Sequence, residues 1–164
     1  MKLRKEAEGW LHDRGVRQWL PEWSDRSYEL IERNIYDGKT WVVSDDESVV
    51  ATVTLNGPDL DFWNESDQLD EAIYFYKLIV RRDHGGTGLG VAIIDWVSLR
   101  AERQGKKWVR LDCWRDNVRL QEYYQQRGFT HVRTEHRAHR ESGALFQRPA
   151  GKIEDKNEVL VVSK

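Results

Sequence analysis

The chain has 164 residues, a length that predicts a single hydrophobic core. Its 26 basic and 28 acidic residues leave a net charge of −2, which predicts no general attraction to nucleic acid. The apolar runs are far shorter than the ~20 residues that span a bilayer, and the charged start is unlike a signal peptide, so we expect no membrane partner. The one cysteine, Cys113, excludes an intramolecular disulfide and favours a cytoplasmic protein.

The first part of the chain predicts two helices followed by two strands. Apolar residues recur at helical spacing over residues 2–14 and 25–37, and β-rich runs follow at 40–45 and 48–55. A long polar loop then extends to about residue 70. This order predicts a sheet with helices packed beside it.

The most informative segment is LIVRRDHGGTGLG, residues 78–90. It joins an apolar strand to a glycine-rich turn, and the turn opens an amphipathic helix over residues 89–103. The glycines allow close backbone approach to a ligand, and the first helical N–H groups have no intrahelical partner. Because these donors and the helix dipole favour an anion, the segment predicts a phosphate-binding turn.

Three kinds of phosphate-binding turn can be compared with this segment. A Walker P-loop has Lys and Ser or Thr after its last glycine, whereas Val91 follows Gly90 here, so nucleotide hydrolysis is not expected. A dinucleotide-binding turn reads GxGxxG rather than the GxGxG found here. The Rossmann alternative stays open, with Asp112 as its ribose-binding acid, although only residues 72–113 form a strand–helix–strand unit. The third kind is the turn that binds acyl-coenzyme A.

The rest of the chain continues the alternation of strands and helices. Residues 107–114 read as a strand, and Asn117 is a typical N-cap for the helix that follows. Two further strands at about 129–137 and 144–148, separated by a turn, predict an antiparallel hairpin.

In this order the motifs resemble the GCN5-related N-acetyltransferase (GNAT) family. The resemblance extends over about residues 39–149 and rests on the glycine turn, Asn117, Tyr124 seven residues later, and then Gly128 followed by Phe129. It implies an α/β (α+β) GNAT fold, with a mixed, mostly antiparallel central sheet flanked by helices.

The resemblance also implies how the chain would bind acetyl-CoA as its acyl donor. We expect no metal site, because His131, His136 and His139 lack a metal-binding spacing and have no cysteine beside them. The main chain of the strand before the turn would pair with the pantetheine arm, and the N–H groups of the turn would bind the pyrophosphate. Asn117 would hydrogen-bond the arm. The implied cofactor-binding residues are Leu78, Ile79, Val80, Gly85, Gly86, Thr87, Gly88, Leu89, Gly90, Val91 and Asn117.

Two side chains are implied to carry the chemistry. Tyr124 resembles the general acid that protonates the departing thiolate, a role suited to a phenol with an ordinary pKa of about 10. Asp112 stands where several relatives have an acid that accepts the proton of the amine. The expected reaction is acetyl transfer to a primary amine, preferably a small molecule, by direct attack in a ternary complex. A non-catalytic acyl-CoA sensor with the same fold is the alternative.

The acceptor is less clearly indicated. Between Gly57 and Tyr76 the chain has six acids and no Lys or Arg, which predicts either a negative field that attracts an amine or a simple solvated loop. A protein amine remains open as the acceptor. The candidate substrate-binding residues are Glu71, Tyr76, Trp63 and Trp114.

The chain departs from the family pattern at the turn. Gly85 stands where the family usually has Arg or Gln, so one side-chain contact to phosphate is lost. We expect the affinity for the donor to depend more on backbone donors and on Arg81, Arg82 or His84.

A second departure concerns the edge of the sheet. The chain begins with a helix, so the family's first edge strand is missing, and the open edge needs cover. We expect one domain over residues 1–149 and a tail over 150–164. In that tail, Glu158 to Ser163 reads as a strand that could pair with an open edge of its own protomer or of a second copy, forming a homodimer.

Overall fold

The predicted order of helices and strands is confirmed in a computed structural model, which describes residues 1–16, 18–19, 24–46 and 48–153. Within these residues the helices are α1 (Lys2–Asp13), α2 (Ser24–Tyr36), α3 (Leu89–Arg103) and α4 (Val118–Gln126). The strands are β1 (Thr40–Asp45), β2 (Ser48–Asn56), β3 (Ala72–Val80), β4 (Trp108–Trp114), β5 (Thr130–Thr134) and β6 (Ser142–Pro149). The tail strand predicted at 158–163 lies outside the described residues.

The six strands form one mixed sheet in the order β1-β2-β3-β4-β6-β5. β1 and β2 are antiparallel, as are β4 with β6 and β5 with β6, whereas β3 and β4 are parallel. This topology confirms the mostly antiparallel sheet of the GNAT fold. Within the described residues β1 is an edge strand and a helix precedes it, as expected for a sheet without the family's first strand.

The described chain divides into two compact units. The first unit comprises residues 1–55 and 77–90, and the second comprises residues 56–76 and 91–153. The division inside β3 falls at Lys77, which has a φ of 50°, unusual for a residue other than glycine. A single domain over residues 1–149 stays a prediction.

In the first unit, Glu8 joins the two amino-terminal helices. Its carboxylate accepts hydrogen bonds from Arg4 Nε at 2.6 Å, within α1, and from the Tyr28 hydroxyl of α2 at 2.5 Å. Since Arg4 is only 4% exposed, its charge needs this partner, and its guanidinium also stacks 3.7 Å from the ring of Trp19. The buried apolar residues of this unit include Leu3, Ile31, Val50, Val53 and Ile79.

In the second unit, α3 packs through a face that contains both apolar and polar groups. Ile93 and Val97 are buried as the helical spacing predicts, and Asp95 is buried beside them. The Asp95 carboxylate accepts a hydrogen bond at 2.7 Å from Arg148 of β6, which is fully buried. A separate aromatic core contains Phe62, Trp63, Ala72, Tyr74 and Leu145.

Candidate functional site

The glycine turn of the first unit has the geometry that the sequence predicts. A short 3₁₀ turn, Arg82–His84, follows β3, and Gly86 and Gly88 then have φ angles of 77° and 85°. A Cβ atom added at Gly86 would meet nothing within 4 Å, so the backbone there is open to a ligand. α3 begins at Leu89, which leaves the N–H groups of its first turn without intrahelical partners.

The strand before the turn offers its main chain rather than its side chains. Ile79 is buried in the unit, and Leu78 and Val80 are half-buried. The N–H of Arg81 donates to the carbonyl of Val50 on β2 at 2.7 Å, which fixes the end of the strand. Since Ile79 packs inward, its side chain is engaged by the core, and binding of the donor by the main chain of this segment stays a prediction.

In the second unit, β4 extends beyond its pairing with β3. The parallel register joins Ala72, Ile73 and Tyr74 to residues 108–110, and pairing of β3 with β4 stops there. On its other side β4 stays paired with β6 as far as Trp114. The remaining part of β4 therefore has one ladder partner, and its second edge can receive the amides of an extended ligand.

Tyr124 lies in α4 and is 8% exposed. Its ring packs edge-on against Phe75, Tyr123 and Phe129, with centroid distances of 6.1, 5.4 and 5.6 Å. None of the described residues forms a hydrogen bond with its hydroxyl. Burial raises the pKa of Tyr124 well above its ordinary value, with smaller contributions from Cys113 and Asp112. The hydroxyl is therefore protonated and available to donate.

Asp112 lies on β4, and its Oδ2 accepts a hydrogen bond of 2.5 Å from the Ser142 hydroxyl. Its charge contributes to raising the pKa of both Tyr124 and Tyr76. The structure thus brings Asp112, Tyr124 and Tyr76 into one neighbourhood of the second unit. Burial is the main cause of the raised pKa of Tyr76, whose hydroxyl donates to the carbonyl of Gly57 at 2.8 Å.

Cys113, next to Asp112, is not a reactive thiol. It is 6% exposed, and burial raises its pKa to about 12, with a smaller contribution from the Asp112 charge. A thiol with that pKa is almost entirely protonated near pH 7, so it is a poor nucleophile. Cys113 is therefore a small residue of the core.

Asn117 is confirmed as the N-cap of α4. Its Oδ1 accepts a hydrogen bond from the N–H of Leu120 at 3.0 Å. The capping bond fixes the orientation of the side-chain amide at the start of the helix that carries Tyr124. The role of Asn117 toward the pantetheine arm stays a prediction.

The candidate acceptor residues are spread over the second unit. Trp63 is 1% exposed and packs edge-on against Tyr74, so it belongs to the aromatic core. Glu71 precedes the amino end of β3, where it forms an ion pair with Lys107 at 2.6 Å. Since Asp112 is near the opposite end of the neighbouring parallel strand, Glu71 is not brought to the same neighbourhood. Trp114 is half-buried at the end of β4 and pairs with Ser142.

Several of the six acids between Gly57 and Tyr76 form ion pairs with basic residues that are distant in the sequence. Asp59 and Asp61 both pair with Arg140, at 2.6 and 2.7 Å, and Asp67 pairs with Arg133 at 2.6 Å. With Glu71, four of the six carboxylates have a basic partner. Three basic residues, two of them from the hairpin after α4, therefore reduce the negative charge of this segment without balancing it, because Arg140 is shared by two carboxylates.

The structure also identifies two features that we did not single out from the sequence. Ser142 contacts Asp112 although 30 residues separate them, and Trp10 of α1 lies against the guanidinium of Arg82. Ser142 falls in a loop-prone stretch with no motif, so the sequence gives no signal for its contact. The spacing of Trp10 and Arg14, four residues apart, is only a weak signal that a guanidinium packs on the indole ring.

A model of the acetyltransferase (GNAT) family matches residues 7–129. The uncharacterized N-acetyltransferase YesJ of Bacillus subtilis (strain 168) is 32% identical over 131 residues, which are 77% of this chain and 72% of that protein.

Solved structures support the same fold. An acetyltransferase of the GNAT family from Listeria monocytogenes 4b F2365 superposes with a TM-score of 0.69 at 22% identity, covering 90% of this chain and 86% of that one. A GNAT acetyltransferase from Staphylococcus aureus Mu50 gives a TM-score of 0.62 at 13% identity, covering 90% and 91%. No described helix is long and apolar enough to cross a membrane. The chain therefore belongs to the GNAT acetyltransferase family, whose members generally use acetyl-CoA, and it is an acyltransferase.

Proposed function

We propose that this protein transfers an acetyl group from acetyl-CoA to a primary amine, preferably a small molecule, by direct attack in a ternary complex. Family membership supports acetyl transfer in general. The acceptor, the direct attack and the residues that carry out the chemistry are the proposed parts. A cytoplasmic location belongs to the same proposal, because a reducing compartment suits the single buried thiol of Cys113.

The first unit has the parts expected for binding the donor. The open backbone at Gly86 and the first N–H groups of α3 suit a pyrophosphate. Its negative charge is attracted by the N–H groups and the dipole at the amino terminus of a helix. Residues 78–80 of β3 would offer main-chain groups to the amides of the pantetheine arm. Acetyl-CoA itself supplies an activated acyl group, a thioester carbonyl that an amine can attack.

The observation that carries the proposal is the state of the Tyr124 hydroxyl. Tyr124 is a buried residue, burial raises its pKa, and none of the described residues hydrogen-bonds its hydroxyl. When the new N–C bond forms and the C–S bond breaks, the departing thiolate needs a proton. Tyr124 would donate that proton, and such general acid catalysis contributes about 10²- to 10⁴-fold to the rate.

Asp112 would take the proton that the attacking amine loses. Its carboxylate is held by Ser142 and lies close enough to Tyr124 to raise the pKa of that residue. Direct attack is favoured over an acyl-enzyme route because the neighbouring thiol, Cys113, has a pKa of about 12. No other thiol exists in the sequence.

The experiment is thiol release from acetyl-CoA across a panel of polyamines, amino acids, aromatic amines and short peptides. We expect turnover with at least one small amine and initial-rate lines that intersect when both substrates are varied. Binding of coenzyme A is measured by calorimetry on the same material. Parallel lines would contradict direct attack, and binding without release for any amine would favour an acyl-CoA sensor. No binding at all would refute the proposal.

A further inference from the structure

Three basic side chains lie just before the glycine turn, and two of them are already engaged by the protein. Arg81 Nε pairs with Asp83 at 2.7 Å, and its Nη1 donates to the Ser48 hydroxyl at 2.8 Å. The ring of His84 lies 2.8 Å from Asp83 and 3.4 Å from Asp45. These contacts already engage the side chains of Arg81 and His84 within the protein.

Arg82 is held differently. Its guanidinium carbon lies 3.9 Å from the ring centroid of Trp10, and that of Arg14 lies 4.5 Å from the same centroid. Both arginines are exposed, and within the described residues neither forms an ion pair with a carboxylate. A guanidinium packed on an aromatic face keeps its N–H donors at its rim, where they remain able to bind.

The arrangement gathers two like charges on one indole. Their repulsion is a cost that the stack with Trp10 offsets only in part, because a cation–π contact at an exposed position contributes about 0.5–1 kcal/mol. An anion that reaches both groups removes this repulsion. Phosphate fits best, since it carries up to two charges and accepts several N–H donors.

The position of Arg82 connects this pair to the turn. The carbonyl of Arg82 accepts the N–H of Gly85 at 2.9 Å, and the open backbone of Gly86 follows immediately. A phosphate beside the turn is therefore within reach of a side chain that begins three residues earlier. Trp10, on α1, sets the direction in which the side chain of Arg82 extends.

We propose that Arg82 and Arg14, held together by Trp10, bind a phosphate group at the nucleotide end of the acyl donor. The inference rests on the proposed function, because it assumes coenzyme A as the ligand. Coenzyme A has a pyrophosphate and a 3′-phosphate, and both present the same chemistry to guanidinium groups. The amino-terminal helix thereby becomes part of the donor site.

The test is calorimetric binding of coenzyme A and dephospho-coenzyme A to the wild type and to Arg82→Gln and Arg14→Gln. We expect each variant to bind coenzyme A about tenfold more weakly, the effect of losing a charge-assisted hydrogen bond. Arg26→Gln, an exposed arginine of α2 in the same unit, is the control for net charge and should stay within twofold. A smaller loss with dephospho-coenzyme A identifies the 3′-phosphate, and an equal loss identifies the pyrophosphate.

Other outcomes overturn the inference. If the wild type binds coenzyme A and both Gln variants bind it equally well, the two arginines are not phosphate ligands, although the proposed function stands. Arg82→Lys keeps the charge and should retain most of the affinity. A loss that Arg82→Lys shares in full, together with a lower Tm of the unliganded protein, would make the stack a structural contact only. If the wild type binds no coenzyme A, the proposed function fails with it.

Discussion

Replacement of Tyr124 by Phe should separate catalysis from stability. The change removes one oxygen from a residue that is 8% exposed and leaves its ring contacts with Phe75, Tyr123 and Phe129 in place. Since none of the described residues hydrogen-bonds the hydroxyl, no internal bond is lost. Because the ring contacts stay in place, we expect the free energy of unfolding to change by less than about 1 kcal/mol.

The effect on turnover should be large in the same variant. Because burial raises its pKa, Tyr124 keeps its proton through neutral and mildly alkaline pH, as a general acid must. Without it the thiolate leaves unprotonated, and we expect kcat to fall about 10²- to 10⁴-fold. Affinity for coenzyme A should stay within about twofold, because the proposed binding contacts to the donor come from residues other than Tyr124.

The assay combines thiol release, calorimetry with coenzyme A and urea unfolding on one preparation. Tyr123→Phe is the matched control, since it removes the same oxygen from the adjacent residue, and it should keep most of the turnover. A Tyr124→Phe enzyme within threefold of wild type would assign the acid role elsewhere. A marked fall in stability would show instead that the hydroxyl has a structural role.

Three further changes test the charges and the thiol. Arg148→Met withdraws the guanidinium from buried Asp95 and should lower the free energy of unfolding by about 3–5 kcal/mol in urea titrations; no loss would contradict an essential pair. Arg133 holds the pKa of Asp67 below its usual range, so the unfolded state takes up this proton at a higher pH than the folded state. The contribution is complete above about pH 4 and is lost as the pH falls, and Asp67→Asn should make stability less pH-dependent below pH 4. Iodoacetamide at pH 8 should alkylate Cys113 more than about 100-fold faster after unfolding, by mass spectrometry, and equal rates would refute its burial.

Local features of the structure could be predicted from the sequence because they depend on residues close together in the chain. A run of β-favouring residues placed β1 at 40–45, and helical spacing placed α3 from residue 89. Asn117 caps α4 through its own neighbour in sequence, Leu120. The turn could be predicted because glycine is the residue that adopts the positive φ found at Gly86.

The surroundings of the acidic segment could not be predicted in this way. Asp67 contacts Arg133 across 66 residues and Asp61 contacts Arg140 across 79, and neither spacing follows a helical or strand period. A run of acids without nearby basic residues therefore looked unbalanced. Likewise, Trp63 looked available for a pocket, because a sequence does not show which aromatic residues meet in a core.

The ion pairs of Asp59, Asp61 and Asp67 weaken the attraction of the acidic segment for a positively charged amine. Ion pairs with the hairpin reduce the negative charge of the segment, and salt screens the remaining exposed charges beyond about 8–10 Å. Selection of the acceptor would then depend on short-range contacts near Asp112, whose charge acts on Tyr76 and Tyr124. An amine bound there would place its positive charge beside a carboxylate and two protonated phenols. Only the neutral amine can attack the thioester, so the bound ammonium would first pass a proton to Asp112. Binding of the amine and removal of its proton are in this way expected to depend on one carboxylate.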